Sequence, residues 1–107
     1  MADDQTGVFR ALADPTRRQI LTDLRAGELT AGEITARFSI SGPSISRHLS
    51  VLKGAGLVAE RREANRIYYS LVADRLAVSV GNFLSTVCPQ QVVIRRNRRK
   101  GTRGEVG

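Results

Sequence analysis

A mainly α-helical domain carrying one small β-hairpin is predicted by three features of the sequence. Apolar residues recur at helical spacing through most of it. Helix-start signals punctuate it at Asp14, Thr30 and Ser41. Two short runs rich in apolar and aromatic residues, Leu57–Arg62 and Arg66–Leu71, interrupt the helical pattern once and read as paired strands. The chain has 107 residues, 41% hydrophobic and 25% charged, enough for one domain with a modest core. No stretch approaches the roughly 18 consecutive apolar residues of a membrane helix. The acidic start, Met1-Ala2-Asp3-Asp4-Gln5, does not resemble a secretory signal, so a cytoplasmic location is expected.

Each element has a local cause. A first short helix is expected from near Thr6, carrying Val8, Phe9 and Leu12. Asp14 then offers an N-cap and Pro15 fits the first helical position, where its missing N–H costs nothing. The second helix should run to about Ala26, bury Ile20, Leu21 and Leu24, and stop at Gly27. Thr30-Ala31-Gly32-Glu33 has the spacing of a capping box, opening a third helix that buries Ile34 and Phe38. After a turn at residues 39–42, Ser41 caps a fourth helix with Pro43 in its first turn. Its stripe of Ile45, Leu49 and Leu52 belongs to the core. Glu63-Ala64-Asn65 joins the two strands, with Asn65 suited to a left-handed backbone. Tyr68 and Tyr69 point to opposite faces, so at least one belongs to the core. The fifth helix spans about Ala73 to Val87 and ends before Pro89. Its Leu76, Val80, Phe83 and Val87 form a narrow seam suited to a partner helix. Together these elements make a winged helix-turn-helix over residues 1–90, followed by a basic tail, 91–107, expected to be disordered when free.

Charge points to a polyanionic partner. The net charge of +7 is unevenly spread: residues 1–36 carry −2, residues 37–66 carry +4 and residues 95–107 carry +5. Turning Ile45, Leu49 and Leu52 inward sends Ser44, Arg47, Ser50, Val51 and Gly54 outward or sideways, with Ser46 and His48 at the boundary. Small side chains let a helix approach base edges in the major groove, and arginine donates two hydrogen bonds to guanine. Ser44 and Ser46 suit phosphates or bases. His48 suits either a DNA contact or the edge of the core. Arg61, Arg62 and Arg66 on the hairpin are candidates for the flanking backbone or minor groove. An amphipathic surface helix beside a solvated hairpin is the plainer alternative. So is a winged helix that binds protein without reading bases. RNA binding would need more stacking platforms than two tyrosines supply. No set of acid, base and nucleophile, phosphate loop or metal cluster suggests an enzyme.

These residues closely resemble the ArsR family of bacterial repressors over about residues 7–87. The marks are the run Val8-Phe9-Arg10-Ala11-Leu12-Ala13-Asp14-Pro15-Thr16-Arg17-Arg18, then Ser44-Ile45-Ser46-Arg47-His48-Leu49, Gly56-Leu57-Val58 and the Tyr68-Tyr69 strand. Thr30–Glu33 with Pro43–Ser46 looks most like the small autorepressor subgroup. The resemblance implies a homodimer built on helices one and five, which adds Val8 and Phe9 to the seam. It also implies operator DNA as the partner, with Ser44, Ser46, Arg47 and His48 in contact. Metal-sensing relatives carry paired cysteines after a Glu-Leu step; here Glu28-Leu29 is followed by Thr30 and Gly32 at those positions. Helix five has Asp74 but no histidine. No metal and no cofactor is therefore expected, and relief of repression is left to a small molecule, a partner protein that binds the dimer, or nothing beyond the protein's own concentration. The lone Cys88 is expected to be an inert thiol.

Overall fold

Asp14 sets the first corner of the fold. Its carboxylate accepts the N–H groups of Thr16 (2.8 Å) and Arg17 (3.2 Å), ending the turn after α1 (Ala2–Leu12) and opening α2 (Pro15–Leu24). The computed structural model describes the backbone of residues 2–92 and the side chains from Thr6. Among the described residues the packing falls into two units, divided after Leu76. Helix α1 starts before the expected Thr6; acidic residues such as Asp3 and Asp4 suit a helix N-terminus. Helix α2 stops at Leu24, two residues early, because Gly27 N–H bonds back to the Leu24 carbonyl and Gly27 takes a φ of 151°.

A strand that local pattern does not announce follows. β1 is Leu29–Thr30 alone, too short for any periodicity to show. The capping box then forms as expected: Thr30 Oγ1 accepts Glu33 N–H, and the Glu33 carboxylate accepts Thr30 N–H. The helix it opens, α3, is only Ala31–Thr35. Arg37 N–H bonds to the Ile34 carbonyl and Phe38 N–H to that of Thr35, three residues back, so the backbone tightens and the helix ends. Ile34 is sealed in the core from α3, whereas Phe38 packs against the core from the turn beyond it.

Helix α4 (Gly42–Gly54) is capped at both ends. Ser41 Oγ accepts Ser44 N–H at 3.2 Å. At the other end Gly56 N–H bonds to the Lys53 carbonyl and Leu57 N–H to that of Leu52, a Schellman motif. The motif needs a left-handed residue, and Gly56 supplies it with φ 79°. Leu52 and Leu57, both with 0% exposure, close the motif from the apolar side.

The wing is β2 (Val58–Glu63) and β3 (Arg66–Leu71), antiparallel from Val58 opposite Leu71 to Glu63 opposite Arg66. The loop is therefore two residues, Ala64-Asn65, not three. Ala64 carries the positive φ of 55°, not Asn65, because the first central position of this short loop takes the left-handed backbone. β1 adds on the far side of β3, giving the order β1-β3-β2. Tyr69 turns to the core and Tyr68 to the opposite face.

Ile20, Leu21, Leu24, Ile34, Ile45, Leu49 and Leu52 form one cluster, joined by Val8 and Ala11 from α1. Val8 is 0% exposed, so it is a core residue and not part of a partner face as expected. The phase of α1 turns it toward Ala11, which is also sealed. Helix α5 (Ala73–Val87) has the predicted bounds, and its Leu76 packs against the core. Beyond it, a helical turn covers Pro89–Val92, where Val92 N–H bonds to the Cys88 carbonyl. The rest of the expected tail, 93–107, lies outside the described residues.

A Cβ on Gly56 would sit 3.2 Å from Arg75 Nε as well as forcing an alanine into φ 79°. Gly56→Ala is expected to lower stability by about 1–2 kcal/mol. A lower urea midpoint at constant m-value would show it.

Candidate nucleic-acid interface

The outward side of α4 follows from the inward one. Ile45, Leu49 and Leu52 are buried, so the rotation of the helix leaves Ser46, Arg47 and Ser50 exposed. Val51 joins that face with 38% exposure, and Ile40, in the turn before α4, is exposed to the same degree. Ile40 was not singled out from sequence, because an isolated apolar residue in a turn carries no periodic signal. Ser44 is half-buried and already engaged: its Oγ accepts a hydrogen bond from Ser41 Oγ at 3.1 Å. It belongs first to the N-terminal cap of the helix.

His48 is held rather than free. Its Nδ1 lies 3.2 Å from Arg17 Nη1, while Arg17 Nε donates to the Ala11 carbonyl at 2.7 Å and Nη2 to that of Arg10 at 3.0 Å. His48 thus lies at the edge of the core: one ring nitrogen faces Arg17, and the other has no hydrogen-bond partner among the described residues. Arg17 was missed because its partner is 31 residues away.

The three wing arginines do different things. Strand register puts Arg61 and Arg66 on one face of the hairpin and Arg62 on the other. Arg61 is committed to the protein itself. Its Nε and Nη2 donate to the two oxygens of Glu28 at 3.1 and 2.8 Å, its Nη1 pairs with Glu63, and its guanidinium lies 4.5 Å from the Tyr68 ring centroid. Expected on the flanking backbone or minor groove, Arg61 instead clamps the segment before β1 to β2 across the central strand in this structure. Arg62 and Arg66 are exposed, and neither Arg66 nor Arg47 has a hydrogen-bond or ion-pair partner among the described residues. Lys53 is paired with Glu60 at 3.0 Å, which ties the end of α4 to β2.

The positions where metal-sensing relatives place thiolates are otherwise employed. Thr30 caps α3, and Gly32 has no side chain. Of the expected helical seam, Phe83 and Val87 are 48% and 62% exposed, Val80 is half-buried, and Leu84, not anticipated, is 40% exposed beside them. Phe9 on α1 is half-buried. No described helix is long and apolar enough to cross a membrane.

A family model described as a helix-turn-helix domain matches residues 12–61. Over 80 residues the chain is 46% identical to the transcriptional repressor SdpR of Bacillus subtilis (strain 168), spanning 75% of this chain and 89% of that one. A crystal structure of an ArsR family transcriptional regulator superposes with a TM-score of 0.75 at 26% identity, over 89% of this chain and 94% of that one. The chain belongs to the ArsR family. A biofilm growth-associated repressor of Agrobacterium fabrum (strain C58 / ATCC 33970) is a further relative, 36% identical over 81 residues, 76% of this chain and 69% of that one. This ArsR-family chain is a DNA-binding transcriptional repressor with a winged helix-turn-helix, not an enzyme.

Two carboxylates, Asp14 at the start of α2 and Glu28 bound to Arg61, have their charged forms favoured. Hydrogen bonding from Arg61 lowers the Glu28 pKa from its usual value near 4.5, against a smaller opposing effect of desolvation. Desolvation raises that of Asp14, but the N–H bonds of Arg17 and Thr16, together with nearby positive charge, outweigh it, and the net shift is downward from 3.8. Both contributions to stability are complete above these unfolded values and are lost as pH falls through the lower folded ones. Acidification through the carboxylate range should lower the urea midpoint of the wild type. It should do so less steeply in Arg61→Met, from which the Glu28 contribution has gone.

Proposed function

We propose that two copies of this repressor pair through α5 and present two α4 helices to successive major grooves of an inverted-repeat operator. The observation that carries the reading is the face of α4 described above. One exposed arginine, Arg47, without a hydrogen-bond or ion-pair partner among the described residues, stands between the small exposed residues Ser46 and Ser50, on a helix whose opposite side is sealed in the core. Arg47 would bond guanine edges, with Ser46 and Ser50 on adjacent bases or phosphates. Ser44 contributes through the helix start, and His48 through its outer ring nitrogen. Arg62 and Arg66 would follow the flanking backbone.

Exposed Phe83, Leu84 and Val87 on α5 support pairing, together with half-buried Val80. Phe9 is the share that the family likeness assigns to α1. A two-fold dimer would set the half-sites about 34–36 Å apart. Such a role places the protein in the cytoplasm, needs no metal or cofactor, and leaves derepression to a small molecule or a partner protein.

Arg47→Ala is expected to weaken operator binding by about 1–3 kcal/mol and to relax sequence choice. A mobility-shift titration on the duplex that the wild type selects from a random library measures it; equal affinity would remove Arg47 from the interface. Deleting residues 95–107, with five net positive charges, should weaken binding to any duplex and flatten its salt dependence. An unchanged slope in affinity against salt would take the tail off the DNA.

A further inference from the structure

We infer that Arg17 is a positioning residue for DNA recognition, acting through His48 and not by touching DNA itself. The inference rests on α4 being the helix that meets the duplex. Arginine has only donors, so its contact with Nδ1 requires the lone pair of that nitrogen to face Nη1 at 3.2 Å. The ring proton of the neutral imidazole is then on Nε2. No described residue accepts from Nε2, so a donor is left for a group outside the chain.

The guanidinium cannot easily turn away. Its Nε and Nη2 are taken by the Ala11 and Arg10 carbonyls, in the last turn of α1. Carbonyls there carry partial negative charge and hold a cation well. A planar fork fixed on two carbonyls therefore fixes the third partner, and the half-buried His48 ring is oriented before DNA arrives. Preorganisation of this kind removes an ordering cost from the binding step. A phosphate oxygen or a base acceptor is the chemistry the outer N–H fits.

The test uses the full chain and the duplex selected by the wild type. Arg17→Met and His48→Ala should each weaken binding about tenfold. The double variant should bind no more weakly than His48→Ala alone, because the two residues act in series. The slope of affinity against salt should be the same in Arg17→Met and wild type, since a neutral donor displaces no counterion. His48 is the single histidine of the chain, so one imidazole nitrogen spectrum reports on it; the unprotonated-nitrogen resonance of the free protein should move in Arg17→Met.

Arg17→Lys keeps the charge without the fork and should not restore affinity. Additive losses, or a slope smaller by about 0.9, would make Arg17 itself a phosphate ligand and overturn the inference. So would full affinity in folded His48→Ala, whatever Arg17→Met does to stability. If the wild type selects no duplex, the DNA-binding role of α4 falls, and this inference with it. If it selects one and the His48 resonance ignores Arg17→Met, the positioning role alone falls.

Discussion

Burial of one stripe of α4 is the constraint on which the rest depends. Ile45 and Leu52 are fully sealed and Leu49 is 2% exposed. Fully burying each such side chain contributes about 1.5–3 kcal/mol, so rotating the helix about its axis would forfeit much of a small domain's stability. A helix is stiff, so fixing one face fixes the other. The orientation of Arg47 is thus a by-product of hydrophobic burial. The caps at Ser41 and Gly56 set the ends of the same helix, and the Lys53–Glu60 pair links it to the wing.

Positive charge is divided between internal and external work. Arg17 is spent on two carbonyls and an imidazole, and Arg61 on two carboxylates and a tyrosine ring. Arg47 and Arg66 have no such partners among the described residues. A census of basic residues in the central segment therefore overstates the charge offered to DNA. The clamp by Arg61 ties the segment before β1 to the hairpin that carries Arg62 and Arg66. Exposed ion pairs add little stability, but a bidentate arginine–carboxylate pair is directional.

Much of the fold was legible because its causes are local. Asp14, Thr30 and Ser41 cap the helices they were expected to cap, each through groups two or three residues away. The spacing of apolar residues in α4 and α5, and the break into two strands, are likewise properties of a few adjacent residues. Where local signals competed, they misled. Asn65 is the better left-handed residue by propensity, but register assigned that backbone to Ala64. Val8, placed at the interface by family likeness and not by a local signal, is sealed in the core by the phase of α1. Phe38 lay at helical spacing from Ile34, yet the chain had already tightened out of helix before it.

By itself, the sequence determined the order and caps of the helices, the hairpin, and the face of α4 that bears Arg47, since these depend on neighbours along the chain. Only the tertiary structure decided what Arg61, His48, Arg17 and the two-residue β1 do. Their partners lie far off in sequence: 33 residues separate Arg61 from Glu28, and 31 separate Arg17 from His48. Nothing in a local pattern records such a pairing. It exists once the core has closed and brought those side chains within hydrogen-bonding distance.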